Sequence, residues 1–184
     1  MNDQLANILW LGGSPCFGKS TIADQLADRH GLRVYHCDDA YFHHLNPITP
    51  ERQSLFFRLA HASCDQLWLR PIARQISEAV ELYREEFPLI LADLIAMPAG
   101  CPVVAEGAAL LPELLAGINI GPKRAVWVVP TEPFQRDQYA SRAWRHDILE
   151  RCTDQERAWQ NWMARDAAFA TLVARDARAA TIES

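Results

Sequence analysis

Residues 13–21 read Gly13-Ser14-Pro15-Cys16-Phe17-Gly18-Lys19-Ser20-Thr21, which is the pattern G-x-x-x-x-G-K-S followed by threonine. Glycines in such a loop let the backbone curl, so that successive N–H groups point inward. Lys19 adds a positive charge, and the Ser20 hydroxyl is a hard oxygen ligand of the kind that Mg²⁺ prefers. A helix that begins here would direct its positive N-terminal end at the same place. Residues 13–21 are therefore predicted to bind nucleotide phosphates and Mg²⁺.

The flanking residues have the patterns of a strand and a helix. Residues 7–11 are a short apolar run that stops at Gly12, as a buried parallel strand does. From Thr21 to Arg29, apolar residues share one helical face and polar residues the other. Strand, glycine loop and helix is the context in which the motif binds phosphate. The competing interpretation is a turn rich in glycine and serine that happens to contain lysine.

Composition restricts the class of protein. The chain has 184 residues, enough for a single domain with a full core, and its net charge of −5 predicts no nucleic-acid or anionic-membrane partner. No apolar run reaches the length of a transmembrane helix, and the N-terminus does not resemble a signal peptide. The five cysteines are an odd number without a C-x-x-C pair, which favours free thiols in a reducing cytoplasm over disulfides or a zinc site.

Three further strands are predicted, at residues 32–37, 102–107 and 124–129. Helical patterns separate them, which indicates a parallel sheet with right-handed crossovers. The long stretch at residues 43–100 is largely helical, and we interpret it as an insert that covers a substrate. Within it, one helix is predicted from Pro71 to Phe87 and a second short one at residues 89–96, separated by Pro88.

The C-terminal third is also predicted to be mostly helical. Residues 131–152 follow the fourth strand, and we interpret them as a lid that begins with a helix. Residues 153–156 have the capping-box pattern, which predicts the start of a long final helix whose buried face carries Trp162 and Phe169. Residues 180–184 could begin a fifth strand that is cut short.

Three carboxylates follow predicted strands, at the edge where open α/β sheets bind ligands. Asp38 and Asp39 end the second strand; we assign Asp39 as the base that accepts a proton from an attacking hydroxyl, and Asp38 as a metal partner. Glu106 ends the third strand and is assigned as a second metal partner. The alternatives are an aspartate turn that satisfies its own backbone and a glutamate that caps the next segment.

Three arginines follow the fourth strand. Arg142 and Arg145 are three residues apart, so on a helix they share a face and could neutralise charge on a transferring phosphoryl group. Arg136 lies on the same predicted helix. The alternative is a solvated helix face. With Lys19 and Asp39, Arg142 and Arg145 complete the predicted catalytic set.

His43 and His44 are adjacent, and on an extended chain their side chains would face opposite ways. Since no H-x-x-x-H spacing supports them, metal binding is the weaker interpretation. Either could contact a substrate instead, and so could a further group: Tyr41, Arg52, Arg58 and Arg70.

These residues together resemble the P-loop kinases, the group that includes uridine kinase, chloramphenicol phosphotransferase, shikimate kinase and adenylate kinase. Residues 13–21 carry most of the resemblance. Residues 39–42, Asp-Ala-Tyr-Phe, are similar to the D-S-F-Y of uridine kinases, and residues 104–107 to their third-strand E-G. The arginines after the fourth strand also match. The chain looks most like small bacterial members described only as P-loop ATPases or kinases.

The resemblance implies a three-layer α/β fold of the P-loop NTPase type, in one domain that spans residues 1–184. It also implies a parallel sheet in the order 2-3-1-4, helices on both faces, an arginine-bearing lid, and ATP with Mg²⁺ as donor. The chain departs from the group in two ways. The fifth strand and the loop that helps to hold the adenine are short or missing, and residues 43–100 match no known type of acceptor site.

The predicted function is transfer of the γ-phosphoryl group of ATP to a hydroxyl of a small molecule: a nucleoside, a metabolite or an antibiotic-like acceptor. A nucleoside monophosphate is a weaker candidate, although Arg52 and Arg58 could bind its phosphate. The alternative function is a non-catalytic nucleotide-dependent switch or a regulatory ATPase. A GTPase is disfavoured because the chain has no N-K-x-D motif and no D-x-x-G after the third strand. The Asp pair and the long insert favour the kinase.

Overall fold

The sheet has four parallel strands in the order β2-β3-β1-β4. The computed structural model describes residues 5–98, 100–121 and 123–182, with the backbone alone at residues 181 and 182. The strands are β1 (Ile8–Gly13), β2 (Arg33–His36), β3 (Val103–Glu106) and β4 (Ala125–Val128). The predicted α/β class, strand order and approximate strand positions are confirmed.

Helices fill the described segments between the strands. They are α1 (Lys19–His30), α2 (Cys37–His44), α3 (Ser54–Ala60), α4 (Cys64–Trp68), α5 (Ile72–Ala96), α6 (Pro112–Gly117), α7 (Glu132–Ala140), α8 (Trp144–Leu149) and α9 (Gln155–Ile182). None of these described helices is both long and apolar enough to span a membrane.

The strands alternate their side chains between two apolar layers. In β1, Ile8 and Trp10 pack in a cluster with Ile90 of α5, whereas Leu11 packs with Ala23 of α1. This alternation follows from the two-residue period of a strand, which sends successive side chains to opposite faces. Helices consequently cover both faces of the sheet.

Register brings the predicted site residues to one edge. Glu106 lies opposite both Leu11 of β1 and His36 of β2, and Gly13 lies opposite Val128 of β4. Since all the strands run the same way, the segments that follow β1, β2 and β3 emerge side by side.

One continuous helix replaces the predicted helix pair in the insert. Helix α5 contains Pro88 in its interior, so the predicted break at that residue is wrong. An interior proline removes a hydrogen bond and costs about 3 kcal/mol. Phe87 and Ile90 are buried on either side of it, and each contributes about 1.5–3 kcal/mol. Pro88 itself lies on the exposed face, which keeps its ring out of the core.

The segment after β2 is helical, not extended. Helix α2 begins at Cys37, so Asp38 and Asp39 lie in its first turn, where the helix dipole favours carboxylates. His43 and His44 end the same helix, which overturns the extended geometry assumed for them.

The lid region and the C-terminus also differ from prediction. Residues 141–143 separate α7 from α8, so Arg142 and Arg145 do not share one helix face. At the start of α9, Asp154 accepts a hydrogen bond from the backbone of Arg157, whereas the Thr153 hydroxyl bonds Asp65. Residues 180–182 are helical, so no fifth strand begins there; residues 183–184 lie outside the described residues.

A disulfide joins Cys64 of α4 to Cys152, which precedes α9, across 88 residues of sequence. The prediction of free thiols is therefore wrong for this pair, although Cys16, Cys37 and Cys101 are free. Asp65 reinforces the connection, since its carboxylate accepts two 2.8 Å hydrogen bonds from the backbone N–H and hydroxyl of Thr153. Helix α4 is thus linked to the segment that directly precedes α9.

Removing this bond should lower stability. We expect the double substitution Cys64→Ser and Cys152→Ser to reduce the free energy of unfolding by about 2–5 kcal/mol, because the long loop is no longer closed in the unfolded chain. Urea unfolding without reductant measures the effect, and Cys101→Ser is the matched control. Equal midpoints for the double variant and the oxidised wild type would show that the bond does not stabilise the fold.

Candidate functional site

Residues 13–20, here called the glycine loop, connect β1 to α1. Gly13 has φ 134°, and a Cβ at this position would collide with the carbonyl oxygen of Val128. Gly18 has φ 75° and caps α1. Both glycines are therefore required by the backbone path. Cys16 adopts a left-handed conformation as well, with φ 61°, although it is not glycine.

Lys19 is held inside the glycine loop. Its side chain is buried, and Nζ donates a 2.9 Å hydrogen bond to the carbonyl oxygen of Ser14. Ser14 is fully buried, and its hydroxyl has no hydrogen-bond partner in the described part of the chain. A buried ammonium and an unsatisfied hydroxyl beside a helix N-terminus form a set of donors that fits an anion.

Ser20 and Glu106, two of the predicted metal partners, are in direct contact. The Ser20 hydroxyl donates a 3.0 Å hydrogen bond to Oε1 of Glu106, whose side chain is buried at the end of β3. The same carboxylate oxygen lies 2.7 Å from Nδ1 of His36. Burial by itself would lower the pKa of His36, but the Glu106 contact and the charges of Asp24 and Asp39 raise it above the ordinary value.

This oxygen pair fits Mg²⁺ without a preformed cage. Among the residues that the structure describes, no group of three or more His, Cys, Asp and Glu side chains is arranged to hold a metal ion. Mg²⁺ usually keeps several waters and binds through one or two carboxylates together with substrate phosphates. Ser20 and Glu106 supply such hard oxygen atoms beside Lys19.

Two cavities lie on this edge of the sheet. The first, here called the loop cavity, has a volume of about 320 Å³ and is lined by the glycine loop together with Tyr139, Arg142 and Trp144. The second, here called the insert cavity, has a volume of about 430 Å³ and is lined by residues of α2, α4 and α5. Asp38 lines both cavities, whereas Asp39 lines neither of them.

The carboxylate of Asp38 lies in an unusual electrostatic environment. Its surroundings are largely protein, and this desolvation raises its pKa; Lys19 opposes the rise, while Glu106 and Asp39 add to it. Its side chain nevertheless remains accessible, since it faces the two cavities. A carboxylate with a raised pKa in a cleft is suited to exchange a proton with a bound molecule.

The three predicted arginines have different positions. Arg142 lines the loop cavity. Arg145 instead places its guanidinium 4.9 Å from the ring centroid of Trp159, and Arg136 forms an exposed ion pair of 3.0 Å with Glu132. Of the three, Arg142 alone lines the cavity beside the glycine loop.

Sequence reasoning missed the residues that attach helix α7 to the glycine loop and to α9. Gln135 of α7 is buried and donates a 3.0 Å hydrogen bond to the carbonyl oxygen of Pro15. Tyr139, on the same helix, donates a 2.7 Å hydrogen bond to Asp166, which is fully buried in α9. Burial raises the pKa of Asp166, although Arg165, Tyr139 and Trp162 oppose the rise. The sequence around Gln135 and Tyr139 has no pattern that indicates these contacts.

The residues proposed as further substrate contacts are mostly engaged with protein. His44 lies 3.0 Å from Glu86 and 3.0 Å from Asp93, which accounts for its burial. Arg58 and Arg70 both pair with Glu78, although Arg70 also lines the insert cavity. Tyr41 lines the insert cavity; Arg52 and His43 are exposed and line neither cavity.

We compared the chain with protein-family models, with curated proteins and with solved structures, and none of them matched. The assignment of a function therefore depends on the geometry of the two cavities.

Proposed function

We propose that the chain is an ATP-dependent kinase with a P-loop NTPase fold, and that it phosphorylates a hydroxyl of a small molecule. One observation supports this most: Asp38 lines both the loop cavity and the insert cavity. A donor whose phosphates occupy the first cavity and an acceptor in the second would meet at this carboxylate. A protein that only binds a nucleotide has no need of the second cavity.

The glycine loop would hold the phosphates of ATP. Lys19 supplies a fixed positive charge, and the backbone N–H groups at the start of α1 face the same side. Ser20 and Glu106 would hold Mg²⁺. The bound metal ion neutralises charge on the phosphate oxygens.

The transfer step is a displacement at phosphorus. The acceptor oxygen forms a bond to the γ-phosphorus, and the bond from that phosphorus to the bridging oxygen breaks, so that ADP leaves with the bonding electrons. The acceptor proton passes to the carboxylate of Asp38. Arg142 neutralises charge on the oxygens that are transferred.

This proposal moves the role of base from Asp39 to Asp38 and assigns the metal to Ser20 and Glu106 alone. The sequence interpretation made Asp39 the base and Asp38 a metal partner. Asp38 is better placed for the base, because it borders the insert cavity, and the contact between Ser20 and Glu106 leaves no metal role that only Asp38 could fill.

We also propose a cytoplasmic location, where ATP is available, and no nucleic-acid partner, in keeping with the net charge of −5. Reducing conditions in the cytoplasm act against the disulfide between Cys64 and Cys152. Phosphoryl transfer should therefore be measured both with and without reductant.

The test is release of ADP from ATP and Mg²⁺ in the presence of a panel of hydroxyl-bearing small molecules. We expect at least one acceptor to accelerate ADP release and to carry the phosphate afterwards. If ATP binds but no acceptor changes the rate of release, the chain is better described as a regulatory ATPase or a switch.

Arg142→Ala should lower kcat by about 10–100-fold, which corresponds to the loss of one hydrogen bond to a charged group. Its contact strengthens as charge develops on the transferring group, so ATP affinity should fall less than kcat. Steady-state kinetics and ATP calorimetry separate the two effects.

Arg136→Ala is the matched control, because Arg136 lies on the preceding helix and forms an exposed pair with Glu132. It should leave kcat nearly unchanged. An equal kcat for wild type and Arg142→Ala under saturating substrates would remove Arg142 from the mechanism.

A further inference from the structure

The insert cavity combines aromatic and aliphatic walls with very little available charge. Its apolar lining includes Tyr41, Phe42, Leu59, Trp68 and Leu82. Tyr41 stacks on Phe56 at a centroid distance of 4.9 Å, and Trp68 stacks on Trp162 at 4.5 Å, so both rings are fixed by the protein behind them. Fixed aromatic walls in a cavity of about 430 Å³ suit a ring-bearing molecule of modest size.

The ring of Phe42 does not stack on a second ring in this way. Its side chain is 68% exposed, the largest exposure among the exposed large hydrophobic residues of the described chain, although it also lines the insert cavity. It meets Tyr41 edge-on at 5.7 Å. An exposed aromatic ring beside an apolar cavity offers surface that a bound molecule would cover.

Two arginines line the insert cavity, and both are already paired. Arg70 donates its Nε to the carbonyl oxygen of Leu67 at 3.1 Å and pairs through another nitrogen with Glu78. Arg58 and Arg74 pair with the same Glu78 but do not line this cavity.

Arg165 pairs with the fully buried Asp166 at 2.6 Å, and its guanidinium lies 5.0 Å from the ring centroid of Trp68. Moving it toward a ligand anion would leave the buried charge of Asp166 without its cation, which is strongly unfavourable.

The carboxylate and amide side chains that line the cavity are also paired, with one exception. Glu86 contacts His44 at 3.0 Å, and the amide of Gln75 donates to the carbonyl oxygens of Trp68 and Arg70. Asp38 makes no side-chain hydrogen bond or ion pair with any residue that the structure describes. The available charge in the cavity is therefore a single carboxylate, which repels anions.

We infer that the insert cavity binds largely apolar alcohols that carry a ring and no negative charge, with the hydroxyl beside Asp38. On the proposed function, which this inference extends, such an alcohol is the acceptor, and phosphorylated or carboxylated acceptors are rejected. The aromatic walls bind the ring, and the one unpaired carboxylate binds the hydroxyl.

The test uses two probes that differ in one substituent: 4-methylbenzyl alcohol and 4-(hydroxymethyl)benzoate. Calorimetry with the full chain, without nucleotide, should show that the neutral probe binds at least about tenfold more tightly than the carboxylate, because a like charge would be enclosed with Asp38. Tighter binding of the carboxylate would overturn the inference. Glycerol, a neutral alcohol without a ring, should bind more weakly than the neutral probe; equal binding would also overturn it.

A substitution that releases Arg70 should reverse the preference. Glu78→Gln removes the anion that holds this guanidinium, so binding of 4-(hydroxymethyl)benzoate relative to the neutral probe should improve about tenfold or more. Glu81→Gln is the matched control, because Glu81 lies on the same helix, is exposed and pairs with Arg84 instead. An unchanged ratio in a folded Glu78→Gln variant would contradict the assignment of Arg70 as a paired group.

Phe42→Ala should weaken binding of the neutral probe by about five- to tenfold, because one aromatic contact is lost. Ile95→Ala changes another exposed apolar residue, which does not line the cavity, and should leave the binding of the neutral probe unchanged. Equal losses in both variants would mean that Phe42 does not contact the probe.

Two measurements distinguish this inference from the proposed function: binding of the probes tests the inference, and phosphoryl transfer tests the kinase proposal. The stated order of affinities supports the inference whether or not phosphate is transferred. Transfer from ATP to the carboxylated probe, with none to the neutral one, would support the kinase and overturn the inference.

Discussion

Asp38→Asn is expected to lower the rate of phosphoryl transfer by about 10²–10⁴-fold, the usual contribution of a positioned general base. The substitution keeps the shape of the side chain and removes its charge and basicity. Affinity for ATP and Mg²⁺ should change little, because the contacts proposed on that side come from Lys19, Ser20 and Glu106. The measurement is transfer to whichever acceptor the panel identifies, with ATP calorimetry as the control.

Asp39→Asn separates the two aspartate assignments. Asp39 is adjacent in sequence and exposed, but it lines neither cavity. We expect the rate of phosphoryl transfer in Asp39→Asn to be at least tenfold higher than in Asp38→Asn. The reverse ranking would restore the assignment that the sequence alone suggested, with Asp39 as base.

The pH dependence offers an independent check on the same residue. Burial raises the pKa of Asp38, so its carboxylate becomes protonated at a higher pH than an ordinary aspartate. A base must be deprotonated, and transfer in the wild type should therefore fall as the pH drops through that raised pKa. The pH profile of Asp38→Asn should lack this decline. If the transfer rate of the variant falls at low pH as the wild type does, another group is responsible for the decline.

Lys19→Ala should reduce kcat/KM by about 10²–10³-fold, a typical loss for one preorganised electrostatic contact. The ammonium is buried at the glycine loop, where little water can replace it. Part of the loss should appear as weaker ATP binding, because on the proposed function Lys19 contacts the bound substrate as well as the transition state.

Lys123→Ala provides a matched control. The chain has only these two lysines, and Lys123 is exposed before β4. This control should leave kcat/KM unaltered. Unchanged ATP affinity and turnover in Lys19→Ala would remove the basis of the kinase proposal.

The sheet was predictable because its signals are local. Each strand is a short apolar run, and the pattern of residues 13–21 identifies the turn between the first strand and its helix. Glu106 lies near Ser20 for the same local reason, since the ends of adjacent parallel strands meet at one edge.

The rest of the site depends on contacts between distant segments. Arg145 has the same charge and nearly the same position in the sequence as Arg142, yet it lies against Trp159. Nothing within a few residues of Cys64 indicates a partner at Cys152, 88 residues away. Tertiary packing decides which of several similar residues contacts a distant segment. The local sequence around each residue does not indicate that contact.

The hydrogen bond from Lys19 to the carbonyl oxygen of Ser14 has a consequence for how affinity arises. Ordering a lysine side chain removes up to about 2 kcal/mol of rotamer freedom. In this chain the restriction is imposed by folding, because Lys19 is already buried and bonded within the fold. An anion that enters the glycine loop does not have to immobilise the lysine a second time. The entropy cost of ordering Lys19 therefore lowers the stability of the fold, and it does not lower the affinity for the anion.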